Sequence, residues 1–272
     1  MRGPNPTSTI PGSGPELPSD TIAATLPAMR ASLIRRPLLI AHRGDSAGCP
    51  ENTAAAFESA IAAGVDGIEL DVRLCADRVV VCHDGTLQRY GGPRSALLRR
   101  PWHALAGADV GSWFAPRFHD QRLLDLDALL DGFGGRTSLL IELKPPRVAT
   151  GQRRLVRAVV AAIAKRRLAK QVYLLAFELP VLRQVRRLDA DLRLVWNRER
   201  PPKDLAAAAA AGIYAIDLDR RRLTPEFVAE CRAHGLRVFT YTANTVAELA
   251  MTARCGVDGV LSDRPAWLVG RH

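Results

Sequence analysis

Four short apolar runs in this chain each carry or end in charge. Leu38–Ala41 leads into His42-Arg43-Gly44, and Gly67–Val72 contains Glu69 and Asp71. Val79–Cys82 leads into His83-Asp84, and Ser138–Leu143 contains Glu142 and is followed by Lys144. Burying a charge is costly unless it is paired, hydrogen-bonded or bound to a metal. A fold for this chain must therefore bring the charged ends of several buried strands together. Runs that are almost continuously apolar fit strands covered on both faces.

The remaining sequence alternates regularly. Further strands are expected at Val172–Phe177, Leu192–Trp196, Ile213–Leu218, Arg237–Tyr241 and Asp258–Leu261. Helices are expected at Thr53–Ala63, Leu123–Leu130, Gln152–Arg167, Leu179–Leu188, Pro202–Ala211, Pro225–His234 and Val246–Arg254. The link between the second and third runs is too short for a helical crossover, so these two form a hairpin. Its turn falls near Asp77, which places Asp71 across from about His83. Without the hairpin arm there are eight strands, each joined to the next by a helix. That pattern is an α/β protein of the TIM (β/α)8 barrel type, with its chemistry at the carboxyl ends of the strands. The barrel is expected over residues 37–270, with an insertion at 85–120 that holds Trp102, Trp113, Phe114 and Phe118 and stands over the strand ends. Residues 1–36 open with a Pro-, Ser-, Thr- and Gly-rich stretch and contain a short helical pattern over 21–35. They are expected to be disordered or partly helical.

Composition narrows the function classes. With 272 residues and 47% hydrophobic content, the chain can bury one large core. A formal charge of +10 fits a soluble, arginine-rich protein, and its sharper reading is attraction to anionic partners: phosphate esters, an acidic membrane surface or nucleic acid. The arginines are spread along the helices rather than grouped with aromatics, which argues against specific nucleic-acid binding. Five cysteines, an odd number with no CxxC pair, fit reduced thiols rather than a disulfide framework or a zinc site. No run approaches the roughly 18 apolar residues of a membrane span, and no signal-peptide pattern opens the chain, so a cytoplasmic protein is expected.

Glu69 and Asp71 are two apart on one strand and so share a face, which in a barrel is the interior. Glu142 and Lys144 repeat the arrangement on the next barrel strand. Three converging carboxylates repel, so a cation belongs between them. Two arrangements supply one: an all-oxygen divalent site for Mg²⁺ or Ca²⁺, or ion pairs with Arg43 and Lys144 alone. His42 and His83 end apolar runs beside the same cluster and suit general acid/base work. His103, His119, His234 and His272 have no such setting and read as surface or helix residues. Arg43 offers a fork and Lys144 a point charge to a phosphate oxyanion.

Taken together, these motifs resemble the glycerophosphodiester phosphodiesterases. The resemblance rests on His42–Gly44, Pro50-Glu51-Asn52-Thr53, Gly67–Val72, Val80–Asp84, Ile141–Lys144, Asn244, Gly256–Gly259 and Ser262-Asp263-Arg264-Pro265. It runs from about Leu38 to Trp267. It implies hydrolysis of a small-molecule phosphodiester to sn-glycerol 3-phosphate and an alcohol. His42 and His83 would be the acid/base pair, Glu69, Asp71 and Glu142 would hold one divalent cation, Mg²⁺ or Ca²⁺, and Arg43 and Lys144 would hold the phosphate. Glu51, Asn52, Phe177, Tyr241 and Asn244 fall where the family lines or supports the site entrance.

The chain departs from the family's habit at Ala176-Phe177, Tyr241, Gly85–Tyr90 and Leu124–Leu126, positions on the substrate side. An alternative activity at the same site is phospholipase D-like hydrolysis of lysophospholipids or sphingolipids, which the basic charge and the insertion's Trp102, Trp113 and Phe114 would favour. A phosphate-binding barrel without turnover would have no physical need for two histidines beside three carboxylates.

Overall fold

The computed structural model of the chain describes residues 36–271, together with Met1 and Gly3. The chain divides into two units, Met1–Arg35 and Arg36–His272. The helical pattern expected over 21–35 lies outside the described residues.

Strands β1 (Leu38–His42), β2 (Gly67–Leu74), β4 (Ser138–Leu143), β5 (Val172–Ala176), β6 (Arg193–Arg198), β7 (Ala215–Asp219), β8 (Arg237–Tyr241) and β9 (Gly259–Ser262) run parallel. β1 pairs with both β2 and β9, so the sheet closes into a TIM (β/α)8 barrel. β3 (Val79–Val81) folds back antiparallel on β2. Between the strands lie α1 (Ala54–Ala62), α2 (Leu126–Phe133), α3 (Ala149–Lys165), α4 (Leu179–Leu188), α5 (Leu205–Ala210), α6 (Pro225–Ala233) and α7 (Val246–Cys255). α8 (Pro265–Val269) follows β9.

The strands separate two apolar layers. Leu39, Ala41, Leu139, Ile141 and Leu174 pack outward against helix residues such as Leu155, Val159 and Leu182. The alternate residues Ile40, Leu140, Tyr173, Leu175, Val195, Ala215, Phe239 and Leu261 fill the barrel interior. This alternation follows from the two-residue period of a strand. Gly259 makes room for it: a Cβ there would lie 2.7 Å from the Phe239 ring.

The structure shifts several expected boundaries. α2 starts at Leu126 rather than Leu123, because Leu123 and Leu124 are extended and give their backbone groups to Ala108 and Val81. The Asp125 side chain then accepts from Ala128 N and caps the helix. α3 starts at Ala149, three residues before the expected Gln152. In the hairpin Val72 faces Val81, so Asp71 lies opposite Cys82, one residue short of His83.

Residues 85–120 contain short 3₁₀ turns at Gln88–Tyr90, Leu97–Arg99, Trp102–Ala104 and Pro116–Phe118. Their core is separate from the barrel's: Leu87, Leu97, Leu105 and Val110 bury Cys75, Val80 and Cys82 of the hairpin. The cysteines are free thiols, with Cys49 half-buried and the rest buried. Among the described residues, no helix is long and apolar enough to cross a membrane.

Candidate active site

Two residues beyond the interior apolar layer, each strand presents its next inward side chain. Following Ile40, Leu140, Leu175, Val195, Ala215, Phe239 and Leu261, these positions are His42, Glu142, Phe177, Asn197, Asp217, Tyr241 and Asp263. On β2 both Glu69 and Asp71 face inward. The floor of the barrel is apolar and its mouth is lined almost entirely with polar groups.

Glu69, Asp71 and Glu142 are buried and offer oxygens that lie within 4.8 Å of one another. Among the described residues this is the only such cluster of three or more His, Cys, Asp or Glu side chains. Register explains two of them, since Asp71 and Glu142 are direct neighbours on β2 and β4. Lys144 Nζ lies 2.6 Å from Glu142 Oε1 and 3.2 Å from Asp71 Oδ1. Arg43 Nε lies 3.3 Å from Asp71 Oδ2, and its Nη1 donates to Glu51 Oε1 at 3.1 Å. Asn52 Nδ2 donates to Asp71 Oδ2 at 2.9 Å, and Asp71 N donates back to Asn52 Oδ1 at 3.1 Å.

The loop that delivers Arg43 and Asn52 is strained. Both residues have positive φ, 58° and 59°, in the left-handed region that non-glycine residues rarely occupy. Gly44 between them has φ 80°, and a Cβ there would sit 2.7 Å from the Ala56 backbone. Glycine is needed because α1 packs directly on this turn.

Electrostatics divides the three carboxylates. Burial would raise Asp71, but Lys144, Arg43, His83 and the Asn52 hydrogen bond outweigh it and hold it at about 2. Burial, reinforced by Asp71 and Glu142, pushes Glu69 well above the usual range. Burial and the Asp71 charge push Glu142 up to about 7. Two cations do not satisfy three buried carboxylates. An all-oxygen set with this unmet negative charge fits Mg²⁺ or Ca²⁺.

Each histidine at the mouth has a carboxylate on its Nδ1. His42 Nδ1 lies 2.6 Å from Asp263 Oδ1, while its Nε2 points toward Glu69 Oε2 at 3.9 Å. Asp263 also accepts from Asn244 Nδ2 at 2.6 Å and from Ser46 Oγ at 3.3 Å. Burial opposes ionisation of Asp263, but these contacts and His42 hold it below its ordinary value. His83 Nδ1 lies 2.9 Å from Asp84 Oδ1. Arg89 Nε donates to Asp84 Oδ2 at 2.9 Å and its Nη2 to Glu51 Oε1 at 2.6 Å. Burial lowers the His83 pKa, and the nearby Arg43 and Lys144 charges act in the same direction.

Most of the sequence-predicted site residues therefore meet at one mouth. Asn244 acts on it through Asp263. Phe177 stands at the rim, with Lys144 Nζ 5.8 Å from its ring centroid. Tyr241 Oη donates to Arg198 O at 3.1 Å and is held to the rim by that contact. His103, His119 and His234 are exposed, and His272 lies outside the described residues.

Sequence reading assigned no role to Asp84, Asp263, Arg89, Asn197 or Asp217. Asp84 and Asp263 stand inside the quoted motifs and were accessible to it. Arg89 had no signal, because its contact with Glu51 is made with a loop 38 positions away. Asn197 follows an apolar run and Asp217 sits in one, and the face each takes is set only by strand register.

A sequence model of the glycerophosphoryl diester phosphodiesterase family matches residues 42–267 of the chain. A glycerophosphodiester phosphodiesterase from Caldanaerobacter subterraneus subsp. tengcongensis is 29% identical over 239 residues, covering 86% of this chain and 97% of that protein. Among solved structures, a glycerophosphoryl diester phosphodiesterase homologue from Silicibacter pomeroyi has a TM-score of 0.77 at 28% identity, covering 86% of this chain and 92% of that one. A phosphodiesterase from Oleispira antarctica, solved with the product sn-glycerol-3-phosphate, has a TM-score of 0.79 at 24% identity, covering 86% of this chain and 96% of its own.

Proposed function

Because the chain belongs to the glycerophosphoryl diester phosphodiesterase family, we propose that it hydrolyses glycerophosphodiesters to sn-glycerol 3-phosphate and an alcohol in a cation-dependent, two-histidine reaction. It is a phosphoric diester hydrolase of that family. The observation that carries the finer reading is the convergence of Glu69, Asp71 and Glu142 between His42 and His83, whose Nδ1 atoms are both taken by carboxylates.

Glu69, Asp71 and Glu142 would hold the divalent cation, which when bound supplies Lewis-acid neutralisation of charge on a phosphoryl oxygen. Arg43 and Lys144 orient the phosphate from the sides where they already neutralise Asp71. Glu51 and Asn52 hold Arg43 and Asp71 in place.

With each Nδ1 occupied, the atom left to face the substrate is Nε2 on both rings. One imidazole takes the nucleophile's proton at Nε2, and the other delivers a proton from Nε2 to the leaving alkoxide. Burial favours the neutral ring at His83, which suits the base role. His42, beside the Asp263 carboxylate, suits the acid role.

The test is release of glycerol 3-phosphate from glycerophosphocholine after chelation, with Mg²⁺, Ca²⁺ or no cation restored. Activity that returns with one cation supports the reading and names the ion. Silence with both would overturn it.

A second reading, phospholipase D-like hydrolysis of lysophospholipids or sphingolipids, is favoured by one feature. Tyr90, Trp113, Phe114 and Phe118 form a chain of aromatic contacts beside the site, tilted between Tyr90 and Trp113 and edge-on in the other two, with Trp113 39% exposed. Such a surface fits an acyl chain or a membrane of anionic lipid. Lysophosphatidylcholine assayed alongside glycerophosphocholine separates the two readings.

A further inference from the structure

We propose that the outer face at the start of α3 is a docking surface for a bilayer that contains anionic lipid. This face lies outside the barrel mouth and stands independently of the glycerophosphodiester reading.

Thr150, Arg153, Arg154, Arg157 and Ala158 line an open groove of about 510 Å³. The helical period puts them there. Arg153 and Arg157 are four apart, as are Thr150 and Arg154, so both pairs stack on one side of the helix. Leu155, Val156 and Val159 bury the other side. All three arginines are exposed, and α3 contains no acidic residue from Ala149 to Lys165.

Arg154 is anchored, since its Nη2 donates to Cys75 O at 3.0 Å and to Ala76 O at 2.6 Å. Those carbonyls of the β2–β3 hairpin fix the side chain without neutralising it. Arg153 and Arg157 make no ion pair among the described residues, whereas Arg166, just past the other end of α3, pairs with Asp127 at 2.8 Å and Asp131 at 2.6 Å. The helix is therefore neutralised where it ends and left positive where it begins. In water the repulsion among the three exposed charges is small, so the fold tolerates it. Against a surface of phosphates the three attract together.

Position selects the anion. The loop after Lys144 leads straight into α3, so the groove opens on the mouth side of the barrel. That loop leaves Val148 57% exposed. Ala76 N donates to Arg100 O at 2.8 Å, which joins the hairpin to the insertion, where Leu98 is 36% exposed. Guanidinium groups beside exposed aliphatic side chains match a lipid interface, where phosphates and hydrocarbon lie side by side. A soluble phosphate ester would use the arginines and leave Val148 and Leu98 in water. No aromatic ring lines the groove, so it lacks the stacking platform of a single-stranded nucleic-acid site.

The test is cosedimentation of the full chain with vesicles of phosphatidylcholine alone or mixed with phosphatidylglycerol. The variants are Arg153→Glu/Arg157→Glu and, as a control with the same change of charge, Arg222→Glu/Arg254→Glu. Arg222 and Arg254 are exposed, and α7, which carries Arg254, lies across the barrel from α3. Wild-type protein is expected to bind the mixed vesicles and not phosphatidylcholine alone, and to bind less as salt rises. The α3 variant should weaken binding by about tenfold or more, from roughly fivefold per arginine, and the control by about twofold at most. Melting temperature should hold in both, since glutamate is compatible with the start of a helix.

No binding by the wild-type protein, or full binding by the α3 variant, would overturn the surface. Equal loss in the two variants would reduce the effect to net charge and overturn it too. Inorganic phosphate that releases the protein from vesicles at an ionic strength where sodium chloride does not would assign the groove to a soluble phosphate. Stronger retention of the wild-type protein by a single-stranded oligonucleotide than by the vesicles, lost in the α3 variant, would assign it to nucleic acid. Either result would overturn the lipid surface.

Discussion

His42 Nδ1 and Asp263 Oδ1 stand 2.6 Å apart although 221 positions separate them in sequence. β1 and β9 are the strands that close the barrel, and Ala41 pairs with Ser262. Closure therefore places the last motif of the domain against the first. Asp263 fixes the His42 ring with Nε2 toward the carboxylates.

Asp263→Asn should lower kcat about 10²-fold with little change in KM. The amide can donate to Nδ1 and so favour the wrong tautomer, leaving the fold and cation site in place. Steady-state kinetics with calorimetric titration of the cation checks this. Weakened cation binding would point to a structural role instead.

Metal-free protein should become less stable as pH rises from about 5 to 8. Glu142 is raised from 4.5 to about 7 in the folded protein, and Glu69 shifts in the same direction. Between the unfolded and folded values the native state binds more protons, so unfolding free energy falls with pH in that window. Mg²⁺ or Ca²⁺ should raise the melting temperature more at pH 8 than at pH 5, because the ligands must be ionised to bind. Scanning calorimetry with and without chelator reads both effects.

The acid limb of kcat/KM should fall below pH 6.5. His83 is the group with the lowered value, and as a base it must be neutral, so activity is lost only as pH drops through its depressed pKa. Cε1–H proton chemical shifts of the ring followed by titration would identify the group. A limb well above 6.5 would count against His83 as the base.

Arg89→Ala should reduce kcat about tenfold, acting through Asp84 on the orientation of His83. Cation affinity should hold, because Arg89 touches Glu51 and Asp84 rather than the three carboxylates. Arg89→Lys, which keeps the charge but not the fork to two carboxylates, should restore only part of the loss.

Gly44→Ala should destabilise the protein by about 1–3 kcal/mol through its φ of 80° and its contact with the Ala56 backbone. It should also lower activity, because the same turn positions Arg43 and Asn52 around Asp71. Urea midpoints compared with the specific activity of the folded fraction separate the two effects.

Local chemistry already determined much of this protein. Charge at the ends of apolar runs, the two-residue spacing of Glu69 and Asp71, and the alternation of strands with helices are readable from the chain alone. They point to the barrel and to the carboxylate and histidine groups because a strand's period and the cost of buried charge operate within a few residues. Tertiary structure decided the rest. Leu123 and Leu124 read as helix until Ala108 and Val81 compete for their backbone groups. Asp263 stands in a recognisable motif, but only barrel closure seats it on His42. Arg89, five positions after Asp84, gains its second carboxylate only when a distant loop brings it Glu51. Asn197 and Asp217 look like ordinary polar positions near the ends of buried strands until register turns both into the mouth. Each of these depends on which distant groups reach one another, and that is set by the closed sheet rather than by neighbours in sequence.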